Sequence, residues 1–445
     1  MNKTFAIFTL GCKVNQEESA ALANVFMENG WRQLPFGEAA DVCIINTCTV
    51  TQIAEKKSRN MLRRAVAANP AAYVVGTGCY VQIKPEEAAQ IAGIDLLLGA
   101  NEKHRLFALA AAGAAAKARE LRPSAVNVQV AAAEEACAYQ ELGNANSLTS
   151  RTRAFVKIED GCNQFCSYCI VPYARGRVRS RPLAAILAEI KALVAAGYQE
   201  IVLTGIHVGA WQEGDLAFAD LVAAAAAVPG LRRLRLGSVE PREVTPKLLR
   251  LVAENPVICP HFHIPLQAAA DSVLRAMRRD YDMDYYCGLL ADLRALLPQA
   301  AVTTDIIAGF PGESEADFTA ELALVQRLNF ADAHIFPYSR RPGTPAADFP
   351  GQLANAEKSR RAAELAAVVA VSRREFRAAR LGQKLRLLAE QPVEREGLAG
   401  MQGYTADYLP VFVPGLAQNL AGHFVQVRAK RLLAQYNDEI LAEKI

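Results

Sequence analysis

The first quarter of the chain repeats a short apolar run followed by a longer segment whose apolar residues have helical spacing. The runs FAIFTL, DVCIINT and AYVVGTG have the length of buried strands, and each precedes such a segment. Strands that alternate with amphipathic helices are typical of a parallel sheet with helices on both faces. The pattern therefore predicts a doubly wound parallel α/β domain over residues 1–112.

The repeat is interrupted at residues 113–147 and then resumes. The interrupting stretch is rich in alanine, contains proline and lacks a sustained strand pattern, so it is predicted to be a linker. Residues 148–379 again alternate strand-like and helix-like segments, which predicts an open (β/α)6 barrel. The six predicted strands cover residues 154–158, 200–204, 233–236, 261–266, 302–308 and 333–336, and a helical pattern over 354–380 follows them.

The last module has a different pattern. Residues 380–445 contain the segments QKLRLLAE, GYTADYLPVFV, HFVQVRAKRLLA and DEILAEKI, in which apolar and polar residues alternate between Gly and Asn turns. Alternation with a period of two indicates strands that bury one face. Several short strands of this kind predict a small all-β barrel of the oligonucleotide-binding type. The chain is thus expected to be an α/β multidomain protein.

Composition restricts the partners and the compartment. The 49 basic and 46 acidic residues give a net charge of +3, so any nucleic-acid contact must depend on local clusters of charge. Ten cysteines without a signal-peptide pattern indicate a reducing, cytoplasmic location, where thiols serve as metal ligands or core residues. Apolar runs are too short or too often interrupted for a membrane span, so no membrane partner is expected.

The strongest chemical signal is the segment GCNQFCSYC, which places Cys162, Cys166 and Cys169 on one loop just past a predicted strand. Three thiolates that hold an iron–sulfur cubane leave one iron open to a substrate or cofactor. The alternative is a zinc site completed by a distant His207 or His261. The position at the end of a barrel strand, where such barrels carry their chemistry, favours the catalytic cluster.

Three further cysteines each follow a predicted strand of the first domain. Cys12, Cys48 and Cys79 occur in TLGCKVNQ, INTCTV and GTGCYVQ. All strands of a parallel sheet end at one edge, so these thiols are predicted to converge there and to hold a second cluster. The alternative is that they are small core residues. The remaining cysteines lack partners at ligand spacing and are predicted to be structural: Cys43 inside its strand, Cys137, Cys259 and Cys287.

These motifs resemble those of a known family. GCNQFCSYCIVPYARGRVRSRP is similar to the cluster loop of radical S-adenosylmethionine enzymes, and with LGCKVNQ, INTCTV and GTGCYVQ it resembles the methylthiotransferases. The resemblance extends over nearly the whole chain, because the last module is similar to the TRAM RNA-binding barrel. LGCKVNQEES, CSYCIVPYARGRVRSR and FPYSRRPGTPAA look most like the branch that acts on threonylcarbamoyladenosine beside the tRNA anticodon.

The resemblance implies two [4Fe–4S] clusters, one on Cys12, Cys48 and Cys79 and one on Cys162, Cys166 and Cys169. The second would bind S-adenosylmethionine, and a methylthio group would be transferred to C2 of the adenine. The implied partners are the tRNA anticodon loop and an electron donor such as flavodoxin or ferredoxin. Alternatives are isopentenyladenosine tRNA or a ribosomal-protein aspartate as the substrate, or a non-catalytic metal-binding RNA-binding protein.

Residues at the predicted strand ends are candidates for binding the cofactor. Gly205 and Gly309 would allow a close backbone approach, and Glu240 would accept from ribose hydroxyls or the amino group, although simple turns explain single glycines equally well. The full set is Tyr168 in the cysteine loop with Gly205, Ser238, Glu240, Asp305 and Gly309. Ala268, Ala269 and Ala270 stand where the family commonly has Ser-Gly-Ser, which removes two hydroxyl donors.

Two groups of basic residues are predicted to contact RNA. Arginine clamps phosphates or stacks on splayed bases, while the alternative is a solvated basic face. Tyr404 and Tyr408 either stack on bases or belong to the barrel core. The basic candidates are Arg175, Arg177, Arg179 and Arg181 beside the cysteine loop, and Arg428, Lys430 and Arg431 in the last module.

Overall fold

The amino-terminal part is a parallel sheet with helices on both faces. The computed structural model describes residues 3–118, 125–136, 138–143 and 152–445, so Cys137 lies outside the described residues. The strands, in spatial order, are Arg32–Gln33, Thr4–Thr9, Val42–Thr47, Tyr73–Gly78, Leu96–Leu98 and Asn127–Gln129. The helices are Lys13–Glu28, Gln52–Ala68, Cys79–Ile83, Pro85–Ala89 and Leu106–Ala118.

Helices on both faces bury the middle of this sheet completely. Every residue of the strands Val42–Thr47 and Tyr73–Gly78 is buried, as expected for a parallel sheet with two covered faces. Phe26 and Trp31 pack on one face, and Leu62 and Tyr80 pack on the other. Cys43 lies in the second core, which confirms its predicted structural role.

The predicted linker contains regular structure in its described part, which differs from the sequence-based expectation. The helix Leu106–Ala118 continues beyond residue 112, because alanine is the best helix former. Asn127–Gln129 adds a sixth strand beside Leu96–Leu98. This edge strand is short, polar and mostly exposed, so it lacks the alternation that would have identified it.

The middle part is an open barrel of six parallel strands in chain order. The first three strands form one sheet and the last three form another, and single bridges such as Ser238 to His263 join the two sheets. The strands are Ala154–Lys157, Glu200–Thr204, Arg233–Arg235, His261–His263, Ala301–Ala308 and Asp332–Pro337. The helices are Val171–Arg175, Leu183–Ala195, Phe218–Ala226, Pro246–Glu254, Asp271–Ala276, Met283–Leu296 and Glu315–Leu328. The predicted open barrel is thus confirmed.

A long helix, Asn355–Ala378, leads from this barrel to a closed β-barrel. The closed barrel contains Lys384–Arg395, Leu398–Tyr404, Pro410–Pro414, Phe424–Leu433 and Glu439–Lys444, and its core includes Leu387, Met401, Val411, Val427 and Ile440. The predicted all-β module is therefore present. Within the described residues, no helix has the length and apolar character needed to cross a membrane.

Buried ion pairs fasten the closed barrel to the open one. The carboxylate of Glu200, which is fully buried, accepts from Arg233 at 3.0 Å and from Arg235 at 2.9 Å. The same two guanidinium groups donate to backbone carbonyls of the closed barrel, including those of Tyr404 at 3.1 Å and Thr405 at 3.0 Å. Glu200 thereby orients both arginines toward the closed barrel.

Replacing Glu200 with glutamine is expected to lower the thermal stability of the protein. Removal of one partner from a buried ion pair typically costs about 3–5 kcal/mol, because the remaining charge stays buried. Scanning calorimetry should show a lower Tm for the variant, and Glu254→Gln, at an exposed position, should leave the Tm unchanged. An equal Tm for Glu200→Gln and the parent would contradict this role.

Candidate active site

The cysteine loop is fixed at the end of the first barrel strand. Gly161 has φ +92°, and a Cβ there would lie 2.0 Å from the Arg177 carbonyl oxygen, so the bend into the loop requires glycine. Ser167, between the second and third cysteine, donates from its backbone to Met277 at 3.0 Å and from its hydroxyl to Ala276 at 2.7 Å. These contacts fix both the beginning and the middle of the loop.

Cationic side chains approach two of the three thiols on this loop. Arg279 donates from Nη1 to Sγ of Cys166 at 3.3 Å, and Nδ1 of His207 lies 3.6 Å from Sγ of Cys162. Burial, together with the nearby charges of Cys166 and Cys162, raises the pKa of Cys169 to about 12. Thiols whose surroundings raise their pKa need nearby positive charge to become thiolates, and metal coordination provides that charge. The donor set fits an iron–sulfur cluster with three protein ligands.

His207 links the cysteine loop to two acidic residues, whereas from the sequence it was a candidate only for a zinc ligand. Its Nε2 lies 2.7 Å from Glu243, and its backbone N–H donates to Glu159 at 2.5 Å. Burial opposes protonation, but the hydrogen bonds to Cys162 and Glu243 outweigh it and raise the pKa of His207 to about 11. The other zinc candidate, His261, packs its ring against Tyr408 at 5.0 Å. His207 therefore presents positive charge to the cysteine loop.

The candidate cofactor residues line the strand ends of the open barrel. Glu240 forms an ion pair with Arg279, and Oδ1 of Asp305 lies 3.2 Å from Nε2 of His263. Ser238 is exposed beside them, and the ring of Tyr168 packs on Phe310 at 6.5 Å. The participation of these residues in cofactor binding stays a prediction.

Neighbouring side chains leave little room for a Cβ at two of these positions, Gly205 and Gly309. A Cβ at Gly205 would lie 2.1 Å from Oε1 of Glu159, and one at Gly309, which has φ +74°, would lie 2.5 Å from Cγ of Lys358. Close packing inside the protein therefore requires both glycines. Ala268 and Ala269 are buried in the barrel core, and the backbone N–H of Ala269 donates to Glu321 at 2.9 Å.

The parallel sheet brings Cys12, Cys48 and Cys79 to one edge. Cys12 directly precedes the helix Lys13–Glu28 and is exposed, whereas Cys48 and Cys79 are buried. Burial raises the pKa of Cys48 to about 11, and the nearby thiolates of Cys79 and Cys12 contribute to the shift. A Cβ at Gly11 would lie 2.8 Å from Sγ of Cys48, so glycine is needed for this approach. In the described ranges, no three His, Cys, Asp or Glu side chains are grouped closely enough to enclose one metal ion.

Three arginines that the sequence assigned to RNA are buried at the junction of the two α/β parts, which corrects that prediction. Arg175 is fully buried and pairs with Glu18 at 2.5 Å, Arg179 lies 3.5 Å from Asp160, and Arg181 pairs with Glu189. These guanidinium groups are buried and pair with internal carboxylates, so they are not available for contact with RNA phosphates. The one sequence signal for this arrangement was Asp160, an acidic residue just before the cysteine loop, which pairs with Arg175 and Arg179.

The remaining basic candidates are on the surface. Arg177 is exposed and lies over the Phe165 ring at 4.6 Å. In the closed barrel, Lys430 pairs with Glu443 at 2.5 Å, Arg431 pairs with Glu396, and Arg428 is half-buried. Their contact with RNA stays a prediction.

Tyr404 and Tyr408 fill the contact between the closed barrel and the open one. Their rings stack at 4.9 Å, and the guanidinium of Arg153 covers both, at 5.0 and 5.3 Å. Lys13, next to Cys12, lies 6.0 Å from the Tyr408 ring, so the amino-terminal part also reaches this contact. The two tyrosines thus pack between the barrels and do not belong to the core of the closed barrel, and their stacking on bases stays a prediction.

The chain matches two family models that together include both cysteine sets. Residues 4–99 match the model described as "Uncharacterized protein family UPF0004", and residues 156–325 match that of the radical SAM superfamily. The solved structure of the radical S-adenosylmethionine methyltransferase TsrM from Kitasatospora setae superposes with a TM-score of 0.56 at 17% identity, over 78% of this chain and 77% of that chain. This likeness supports the fold.

Curated relatives match over nearly their whole length. The threonylcarbamoyladenosine tRNA methylthiotransferase MtaB of Bacillus subtilis is 37% identical over 98% of this chain and 95% of its own, and that of Thermotoga maritima is 34% identical over 97% and 95%. The tRNA-2-methylthio-N(6)-dimethylallyladenosine synthase of Moorella thermoacetica is 36% identical over 96% of both chains. The chain therefore belongs to the radical S-adenosylmethionine methylthiotransferase family, as its motifs predicted.

Proposed function

We propose that this chain is a tRNA methylthiotransferase that adds a methylthio group at C2 of N6-threonylcarbamoyladenosine beside the anticodon. The observation that carries the proposal is the placement of two cysteine sets at one junction. The helix Val171–Arg175 begins two residues after Cys169, and its last side chain donates to Sγ of Cys79 at 3.4 Å. The short helix that follows the cysteine loop thus places Arg175 against the sheet-edge set, so both sets lie at the junction of the two α/β parts.

The thiols have distinct roles in this proposal. Cys162, Cys166 and Cys169 hold a [4Fe–4S] cluster that binds S-adenosylmethionine, and Cys12, Cys48 and Cys79 hold a second cluster. When bound, these groups supply a radical that removes hydrogen from C2 and the sulfur that replaces it. The chain itself contributes Arg279, which donates to Sγ of Cys166, and His207, whose Nδ1 lies 3.6 Å from Sγ of Cys162. An electron donor such as flavodoxin or ferredoxin completes the system.

The interior of the open barrel offers a place for the target base. His263 pairs with Asp305 at 3.2 Å, and its ring lies 5.9 Å from the ring of His334. His334 is exposed, and Phe336, two residues further along the same strand, is 46% exposed. Exposed rings beside a polar pair suit a base that is turned out of an RNA loop, because such bases stack on aromatic side chains.

Replacing Phe336 with alanine is expected to raise the KM for tRNA about ten-fold, because stacking of one base contributes about 1–3 kcal/mol. Steady-state kinetics with threonylcarbamoyladenosine-containing tRNA would measure this effect. Leu296→Ala removes another exposed apolar side chain, 44% exposed, at the end of a barrel helix and serves as the matched control. An unchanged KM in Phe336→Ala would remove the ring from the proposed base site.

Mass spectrometry of tRNA nucleosides tests the function as a whole. The protein would be expressed in a bacterial host that lacks its own methylthiotransferases but makes both modified adenosines. Appearance of 2-methylthio-N6-threonylcarbamoyladenosine is the expected result. Appearance of the methylthio-isopentenyl nucleoside would favour the second branch, to which the relative from Moorella thermoacetica belongs by name. If neither nucleoside appears, despite loaded clusters, the tRNA assignment is wrong and the ribosomal protein becomes the substrate to test.

A further inference from the structure

A surplus of buried positive charge lies beside the sheet-edge thiols Cys12, Cys48 and Cys79. Glu18 accepts from Lys103 at 2.5 Å, from Lys157 at 2.7 Å and from Arg175 at 2.5 Å. Asp160 is the second carboxylate of the group and lies 2.8 Å from Lys157. Burial lowers the pKa of Lys103, but even without its charge the buried cations Lys157, Arg175 and Arg179 outnumber the two carboxylates.

The neighbouring carboxyl group does not balance this surplus at neutral pH. Burial raises the pKa of Glu17 to about 8, although Lys157 opposes the shift. A buried charge without a counter-charge is costly, because the protein interior solvates it poorly. The surplus is therefore suited to an anionic group in the same region.

Arg175 is the cation of this group that contacts a sheet-edge thiol. Its Nε donates to Sγ of Cys79 at 3.4 Å, and its Nη2 donates to Oδ1 of Asn15 at 2.5 Å. Asn15 in turn donates to the carbonyls of Leu10 at 2.8 Å and Thr47 at 3.0 Å, which lie just before Cys12 and Cys48. The Arg175 guanidinium thus contacts the sulfur of Cys79 directly and, through Asn15, the backbone that leads to Cys12 and Cys48.

We infer that Arg175 is a positioning residue that raises the reduction potential of the cluster on Cys12, Cys48 and Cys79. The inference rests on the proposed function only in requiring that these thiols hold an iron–sulfur cluster. Thiolates and sulfides give such a cluster negative charge, and reduction adds more. Nearby positive charge and hydrogen bonds to sulfur stabilise the reduced form, which raises the potential. Arg175 supplies both, and Glu18 moderates its charge.

Two substitutions that should shift the midpoint potential in opposite directions test the inference. Arg175→Gln removes a positive charge and the donor to Cys79, so the midpoint potential of the sheet-edge cluster should fall. Glu18→Gln removes a negative charge from the same group, so that potential should rise. Potentiometric titration of the reconstituted full-length protein, followed by electron paramagnetic resonance, measures the midpoint potential of both clusters. The cluster on Cys162, Cys166 and Cys169 serves as the internal reference.

Further variants keep the test decisive. Arg175→Lys keeps the positive charge but loses the planar guanidinium group. It should therefore lower the midpoint potential less than Arg175→Gln does. If Arg175→Gln does not fold, Arg175→Lys takes its place in the test. Arg177→Gln, at an exposed site two residues away, should not shift the potential. Unchanged potentials, or shifts of one sign in Arg175→Gln and Glu18→Gln, would overturn the role of Arg175 while the clusters remain. Absence of a second cluster from the parent protein would overturn the proposed function together with this inference.

Discussion

Replacement of Cys166 by alanine is expected to abolish the formation of 5′-deoxyadenosine from S-adenosylmethionine. Cys166 is buried, lies between the other two thiols of its loop, and accepts from Arg279 at 3.3 Å. Its loss leaves two protein ligands for the loop cluster and an unpaired guanidinium beside them. Loss of a residue that merely supports a metal ligand costs about 10–100-fold in activity, so loss of a ligand itself should cost at least about 100-fold.

Chromatography of single-turnover reactions under reducing, oxygen-free conditions would measure this product. The matched control is Cys287→Ala, because Cys287 is a half-buried cysteine on a barrel helix away from the loop. This control should form 5′-deoxyadenosine like the parent protein. Undiminished formation by Cys166→Ala would exclude the assignment of the loop as the radical-generating site.

Replacement of Cys48 by alanine should separate the two halves of the reaction. The sheet-edge set would lose one of its three thiols, while the loop of Cys162, Cys166 and Cys169 would keep its own ligands and neighbours. We expect 5′-deoxyadenosine to form at close to the parent rate, iron content to fall by one cluster, and methylthiolated nucleoside to disappear. Iron analysis, product chromatography and nucleoside mass spectrometry measure the three quantities on one preparation.

Cys43 provides the matched control for this substitution. It is buried in the strand that ends just before Cys48, but it packs in the apolar core beside Ile45 and Leu62. Cys43→Ala should keep both clusters and both products. Methylthiolated nucleoside from Cys48→Ala at the parent level would show that the sheet-edge thiols are not needed for sulfur transfer.

The order of strands and helices was predictable because it depends on local sequence periodicity. The apolar runs before Cys12, Cys48 and Cys79 correspond to the strands Thr4–Thr9, Val42–Thr47 and Tyr73–Gly78, and the predicted barrel strand 200–204 is present as Glu200–Thr204. The convergence of the three cysteines also followed, because parallel strands end at one edge. Asn127–Gln129 was missed because an exposed edge strand of three residues has no buried face to impose a pattern.

The arginine run shows the limit of this reasoning. RGRVRSR looks like a basic surface segment, but burial depends on what packs against a residue, and Glu18, Asp160 and Glu189 are distant in sequence or belong to other elements. Gly176, with φ +78°, bends the segment between a short helix and a two-residue strand, so Arg175 and Arg177 face different surroundings. No periodicity within the run contains that information.

The fold class, the two cysteine sets and the family were predictable from the amino-acid sequence, because strand patterns, ligand spacing and motifs are local properties of the chain. The charged groups that surround the thiols were not predictable in this way. Arg279 beside Cys166, His207 beside Cys162 and Arg175 beside Cys79 come from separate elements, and folding alone brings each pair within 3.6 Å. Buried charges require partners at short distance, and tertiary packing, not closeness in the sequence, determines which residues those partners are.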